Sequence, residues 1–176
     1  MSSIDELFDT LTRLQASKRL PPVEQWQPSH SGVIDITIDT GGLWYHEGKL
    51  IERQPLVDLF ATILRVENGQ YFLVTPAEKM AISVAEVPFI ATDLDVRGDG
   101  VQTDLLFSTN VGDYIVADSE HAVYMVDGRP FIHIRNGLVA RIHRNVFYRL
   151  IEVGVEEAGV LAVYSAGYRF ELGAVT

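Results

Sequence analysis

Apolar residues recur at helical spacing in three segments of the chain. The first stripe predicts a helix that ends near Ser17, and the second predicts a helix that begins at Pro55 and is ended by Asn68-Gly69. A third stripe, from Val146 to Val153, predicts the last helix. The first two stripes consist of Ile4, Leu7, Phe8, Leu11 and Leu14, and of Leu56, Leu59, Phe60, Ile63 and Leu64.

Between these helices the period of the apolar positions changes from helical spacing to alternation. Ile34, Ile36 and Ile38 alternate with polar residues and predict a half-buried strand. Asn136-Gly137 predicts a tight hairpin turn between two further strands. The other main predicted strands are 82–86, 89–95, 101–108, 114–117, 122–126, 159–164 and 168–172. The pattern therefore predicts an α+β fold with largely antiparallel sheets, arranged as an N-terminal helix at 1–20 and small domains at 21–80 and 81–176.

Two segments of the chain share one order of elements. Each is predicted as a strand, a glycine turn, a strand, the tripeptide Ile-x-Arg and then a helix. At an offset of 91 residues, Arg53 in the first segment matches Arg144 in the second, and Leu59 matches Leu150. We interpret these repeated ββα-type units as an internal duplication, which places the two arginines at equivalent positions.

Composition narrows the classes of partner. The 176 residues are 47% hydrophobic and carry a formal net charge of −10, which supports a folded core and disfavours binding of a nucleic acid polymer or an anionic membrane. The chain has no cysteine, and therefore no disulfide or thiolate site. Neither a signal peptide nor a membrane-spanning run is present, so we expect a cytoplasmic protein.

The charge is distributed unevenly along the chain. Residues 86–128 hold one basic and nine acidic residues, whereas 129–149 hold five arginines and no acid. One interpretation is an anion site, because guanidinium groups grip phosphate or carboxylate through paired hydrogen bonds. The alternative is that these arginines pair with the acidic stretch before them. Alternation places His133 and Arg135 on one strand face and Ile132 and Ile134 on the other.

The sequence carries no recognised catalytic or metal-binding motif. The sequence contains no P-loop, no H-E-x-x-H helix and no G-x-S-x-G nucleophile elbow. The five histidines lack the spacing typical of a metal site, and the aspartates near Asp95 lack the spacing of a calcium loop. We therefore predict no metal and no cofactor.

Several motifs resemble those of the bacterial domain-of-unknown-function family 1285. They are GLWYHEGKLIERQPLVDLF, YFLVTPAEK, VPF, TNVGD and FIHIRNGLVARIHRNVFY, and the resemblance runs from about Pro21 to Val153. It implies a duplicated two-domain α+β fold, a C-terminal domain that resembles a pleckstrin-homology-like roll, and a ligand site between the domains. A nucleotide-like ligand and a signalling role are also implied. The resemblance further implies a large polar insertion before the second repeat, where this chain has only Val126-Asp127-Gly128-Arg129.

The leading hypothesis combines residues 129–149, which we name the basic segment, with this resemblance. A small anionic ligand would be held by arginines from both repeats and by Lys79, under an aromatic cover. The predicted ligand-binding residues are Trp44, Arg53, Lys79, His133, Arg135, Arg144 and Tyr148. For Trp44, a role as a core anchor is an equal alternative.

Two other functions are consistent with the sequence. One is an enzyme of unrecognised type, such as a phosphoester hydrolase that uses His133 or His143 as acid or base. The other is a protein-interaction scaffold, in which the N-terminal helix docks on another chain or exposed sheet edges pair into a homodimer.

Overall fold

The computed structural model describes residues 3–175, without the side chains of Ser3 and Leu11, and divides the chain into two compact units. The N-terminal unit comprises Arg19–Phe89 and Asn136–Leu138, and the C-terminal unit lies within Met1–Lys18, Ile90–Arg135 and Val139–Thr176. Each unit combines helix and sheet, so the α+β prediction is confirmed. Among the described residues, no helix has the length and apolar character needed to cross a membrane.

The N-terminal unit consists of one six-stranded sheet and one helix. Its strands are β1 His30–Ile38, β2 Trp44–His46, β3 Lys49–Leu50, β4 Leu64–Glu67, β5 Gln70–Val74 and β6 Glu78–Val84. They lie in the order β3-β2-β1-β6-β5-β4, and β1 and β6 pair in parallel while the other pairs are antiparallel. A 3₁₀ turn at Val23–Gln25 precedes β1. The helix of this unit is the second in the chain, with α1 at Ser3–Ser17, α2 at Gln54–Thr62 and α3 at Arg144–Glu152.

The C-terminal unit contains a six-stranded sheet, a three-stranded sheet and the helices α1 and α3. The larger sheet has the order β10-β11-β12-β7-β8-β9, and β13-β14-β15 form an antiparallel meander. The strands are β7 Phe89–Arg97, β8 Asp104–Thr109, β9 Tyr114–Val116, β10 Val123–Val126, β11 Arg129–Arg135, β12 Leu138–Ile142, β13 Val155–Glu157, β14 Val160–Ser165 and β15 Tyr168–Ala174.

Each unit buries its own set of apolar side chains, as the alternation along the strands predicts. In the N-terminal unit Ile36 and Ile38 are buried beside Trp44. In the C-terminal unit Ile132 and Ile134 are buried, while His133 between them is exposed. The predicted burial of Ile132 and Ile134 on either side of His133 is therefore confirmed, whereas Arg135 on the His133 face is largely buried, with a side chain that is 12% exposed.

The structure supports the internal duplication and extends it beyond the predicted segments. Both α2 and α3 lead into a three-stranded antiparallel meander, β4-β5-β6 after α2 and β13-β14-β15 after α3. The first residues of these meanders, Leu64 and Val155, are 91 residues apart, which is the offset found in the sequence. The repeated unit is therefore a helix and a meander as well as the strands before them.

Several strand assignments from the sequence were wrong: the predicted strand 82–86 is β6 at Glu78–Val84, and β13 was not predicted. Helix α2 ends at Thr62 instead of continuing to Asn68, and Leu64–Glu67 forms β4. The reason is that Asn68-Gly69 closes a hairpin between β4 and β5, with positive φ at both residues, instead of capping a helix. In addition, Gly100–Gln102 forms a 3₁₀ turn, so β8 begins at Asp104 instead of at residue 101.

A hairpin turn in the C-terminal meander carries an unfavourable residue. Ala158 has φ of 51° and precedes Gly159 at φ of 79°, the geometry of a type I′ turn. The left-handed region is sterically unfavourable for alanine. Asparagine adopts it at a lower energetic cost. We expect Ala158→Asn to raise the free energy of unfolding by about 0.5–1 kcal/mol in urea titrations. Ala77→Asn, at an exposed position without positive φ, is the control, and an equal effect of both changes would contradict the explanation.

Candidate functional site

The five arginines of the basic segment have different surroundings in the structure. Arg135 and Arg149 each pair with an aspartate of the acidic stretch, as the alternative interpretation of the segment expects. Arg129, Arg141 and Arg144 line a common cavity. Two of the five arginines are therefore paired with carboxylates, and the other three line one cavity.

Arg135 is part of a buried cluster around Asp113. Its Nη1 lies 3.0 Å from Asp113 Oδ2, and Asp113 is 0% exposed. The other carboxylate oxygen accepts hydrogen bonds from Lys18 Nζ at 3.0 Å and Gln15 Nε2 at 3.4 Å. Because Gln15 lies on α1 and Lys18 directly follows it, this carboxylate fastens the N-terminal helix to its unit. Arg135 therefore contributes to this buried cluster through its ion pair with Asp113. Its role in ligand binding stays a prediction.

Arg149 is held on the surface of the same unit. Its Nη1 lies 2.7 Å from Asp93 Oδ1, and its Nη2 donates to the carbonyl of Leu94. Burial alone would raise the pKa of Asp93, but the hydrogen bond from Arg149, assisted by a backbone hydrogen bond from Leu94, holds it below its ordinary value. This carboxylate therefore stays ionised and paired near neutral pH.

A cavity of about 390 Å³, which we name the arginine pocket, lies in the C-terminal unit. The turn before β11, the end of β12 and the first turns of α3 supply its walls. It contains three arginines and no carboxylate among its described lining residues. These are Gly128, Arg129, Pro130, Arg141, Ile142, Arg144, Phe147 and Tyr148.

Local sequence determines two of these walls. Asp127 and Gly128 both have positive φ, so the chain turns from β10 to β11 in only two residues. His143 caps α3, because its Nδ1 accepts the backbone N–H of Asn145 at 3.2 Å. The first turn of α3 contains no acidic residue, so the positive end of the helix dipole adds to the charge of the arginines.

Aromatic side chains complete the arginine pocket. Phe147 and Tyr148 lie in the second turn of α3, and Tyr148 is 56% exposed. Arg129 lies over the ring of Phe131, with its guanidinium carbon 5.9 Å from the ring centroid. The pocket therefore combines positive charge with an exposed aromatic surface. Two of the predicted site residues, Arg144 and Tyr148, lie in it.

The predicted site residues of the N-terminal unit lie in different surroundings. Trp44 is 1% exposed and stacks on Phe60 with 6.2 Å between ring centroids, so its contacts are those of a core residue. Arg53 is exposed at the residue before α2. Lys79 lies 3.3 Å from Glu67 and over the ring of Phe72. The structure does not bring these three together, and their role in ligand binding stays a prediction.

The histidines considered for acid–base catalysis have no carboxylate partner within the described chain. His133 is exposed and stacks on Tyr124, with ring centroids 4.9 Å apart. His143 is occupied as the cap of α3. Among residues 3–175, no group of three or more acidic or histidine side chains is arranged to hold a metal ion.

Sequence reasoning missed Arg129 and Arg141 as site residues, although both belong to the basic segment. Arg129 begins β11 and Arg141 lies on β12, the two strands that the turn at Asn136-Gly137 connects. The hairpin was predictable from the sequence, but the cavity that Arg129, Arg141 and Arg144 line was not.

Family models match the chain in two consecutive parts. Residues 21–87 match a model described as domain of unknown function (DUF1285), N-terminal domain. Residues 88–172 match a model described as protein of unknown function (DUF1285), C-terminal domain. No curated protein matches the chain. The matches confirm the resemblance that the motifs indicated.

Two solved structures are similar to this chain. A DUF1285 family protein from Silicibacter pomeroyi DSS-3, solved at 2.50 Å, has 40% identity and a TM-score of 0.85, and the match covers 93% of this chain and 92% of that chain. A DUF1285 family protein from Shewanella baltica OS155, solved at 1.40 Å, has 24% identity and a TM-score of 0.56, with 68% of this chain and 92% of that chain covered. The second match shows a shared fold alone.

Proposed function

Since the chain belongs to the DUF1285 family of proteins of unknown function, we propose its function from the geometry of one site: the protein binds a small anion in the arginine pocket. The observation that carries the proposal is a cavity of about 390 Å³ lined by three arginines and, among its described lining residues, by no carboxylate. A guanidinium group offers a planar fork of donors that matches the oxygens of phosphate or carboxylate.

The surrounding charge favours a small ligand over a polymer. The whole chain carries −10, which repels a long polyanion, whereas the arginine pocket is lined by Arg129, Arg141 and Arg144. The start of α3 adds backbone N–H groups and the positive end of the helix dipole. A small anion in the pocket is therefore attracted by the nearby arginines, although the net charge of the whole protein is negative.

The aromatic wall favours an anion that carries a ring. Tyr148 exposes its ring beside Arg144, and Phe147 adds apolar surface. Planar groups stack on aromatic side chains and on guanidinium planes, so a nucleotide-like ligand satisfies both kinds of wall. Phosphoester hydrolysis is less well supported, because His143 uses its Nδ1 to cap α3 and His133 stacks on Tyr124. A signalling role, a scaffold role and a homodimer stay predictions.

Calorimetric titration with inorganic phosphate and with nucleoside 5′-monophosphates tests the proposal. We expect binding that weakens at high salt, and we expect Arg144→Ala to reduce the affinity by about 10- to 100-fold, because a charge-assisted hydrogen bond is lost. Arg19→Ala, which removes an exposed arginine of the N-terminal unit, is the matched control and should leave the affinity unchanged.

Arg53→Ala measures whether the equivalent arginine of the first repeat takes part. A loss of affinity equal to that of Arg144→Ala would add Arg53 to the site, and an unchanged affinity would confine the site to the arginine pocket. The proposal fails if none of these anions binds with a dissociation constant below the millimolar range. It also fails if Arg144→Ala binds them as the natural protein does.

A further inference from the structure

A second cavity, which we name the polar cavity, lies entirely within the N-terminal unit. Its volume is about 300 Å³, at the lower end of the range for small-ligand pockets. Apart from Pro28, the side chains that line it are polar or charged. They are Glu24, Gln27, Ser31, Arg65, Glu67 and Lys79.

Arg65 is the most buried charged residue in the wall of the polar cavity, with a side chain that is 10% exposed. Its Nε donates to Glu67 at 3.1 Å, and its Nη1 donates to the carbonyls of Val23 at 2.7 Å and Trp26 at 2.8 Å. These bonds use three of the five guanidinium N–H groups. The two on Nη2 have no acceptor in the part of the chain that the structure describes. Arg65 is thus fixed in position with an unused pair of donors.

The carboxylates of the polar cavity differ in their partners. Glu67 lies within 3.3 Å of Lys79 Nζ and also accepts from Arg65. Burial raises the pKa of Glu67, but the hydrogen bonds and charges of Lys79 and Arg65 outweigh that effect and lower it. Glu24 is exposed on the 3₁₀ turn and pairs with no cation among residues 3–175. The two N–H groups of Arg65 Nη2 and the carboxylate of Glu24 are therefore available to a ligand in the polar cavity.

The charges of the polar cavity cancel, because two cations and two carboxylates line it. A dianion would be repelled by Glu24 and Glu67, and a simple cation would be repelled by Arg65 and Lys79. A ligand with one carboxylate and one ammonium group satisfies both, since its carboxylate accepts from Arg65 Nη2 and its ammonium donates to Glu24. We propose that the polar cavity binds a small zwitterion of the α-amino acid class.

The proposal does not depend on anion binding in the C-terminal unit. Its test compares ligands that carry both charges with ligands that lack one of them. Free L-α-amino acids are titrated into the protein by calorimetry, together with their N-acetyl and amide forms, each of which lacks one charge. We expect at least one free amino acid to bind, and both blocked forms to bind about tenfold more weakly or not at all.

Glu24→Gln removes the proposed ammonium acceptor at an exposed position, and Glu52→Gln makes the same charge change outside the polar cavity. We expect Glu24→Gln to weaken binding of the free amino acid about tenfold and Glu52→Gln to leave it unchanged. The proposal is overturned if no free amino acid binds, if the N-acetyl form binds equally well, or if Glu24→Gln has no effect.

Discussion

Replacing Asp113 with alanine is expected to lower the free energy of unfolding of the C-terminal unit by about 3–5 kcal/mol. The change leaves the guanidinium of Arg135 buried without its carboxylate and removes the acceptor for Lys18 and Gln15. For a chain of this size the loss corresponds to a fall in Tm of roughly 10 °C, which thermal unfolding followed by circular dichroism measures.

The control for Asp113→Ala is Asp99→Ala, which removes an exposed aspartate of the same unit. The double variant Asp113→Leu with Arg135→Met provides a second check, because an apolar pair leaves no buried charge behind. It should be more stable than Asp113→Leu alone by about 1–3 kcal/mol. Equal stability of Asp113→Ala and Asp99→Ala would show that the buried cluster contributes nothing.

Replacing Trp44 with alanine is the second change with a large expected effect. The indole is buried in the N-terminal unit and stacks on Phe60, so truncation removes a large apolar surface and leaves a cavity. We expect the free energy of unfolding of this unit to fall by about 3–5 kcal/mol in denaturant titrations. Anion binding by the C-terminal unit should persist under conditions in which the variant is folded.

Trp44→Phe separates packing from hydrogen bonding at the same position. The buried Nε1–H of Trp44 has no acceptor among the described residues, so phenylalanine removes an unsatisfied donor together with part of the ring. We expect it to cost less than about 1.5 kcal/mol. If Trp44→Ala were fully stable but lost anion binding, Trp44 would be a ligand-binding residue instead of a core residue.

The fold was predictable from sequence where one local pattern has one structural solution. Ile132 and Ile134 alternate with His133 and Arg135, and only one strand orientation buries both isoleucines. Asn68-Gly69 was harder to interpret, because the same dipeptide ends helices and closes hairpins. The apolar residues Ile63 and Leu64 continue the helical stripe, so β4 could not be separated from α2 by periodicity alone.

The positive charge of the candidate site was predictable from the sequence, but the residues that form the site were not. The acid-free segment indicated an anion site, and Arg144 and Tyr148 line the arginine pocket. Sequence could not show that Arg135 is paired with Asp113, because 22 residues separate them and tertiary structure brings them together. A sequence also does not distinguish an arginine that faces a cavity from one that fastens a helix.

The most direct measurement of anion binding is an NMR titration that follows the Nε–Hε signals of the arginines while inorganic phosphate or a nucleoside 5′-monophosphate is added. Arg135 and Arg149, which are held by Asp113 and Asp93, serve as internal references. Binding in the arginine pocket predicts saturable shifts of Arg129, Arg141 and Arg144 and of the backbone amides at the start of α3. Absence of saturable shifts, or shifts confined to arginines outside the arginine pocket, would contradict it.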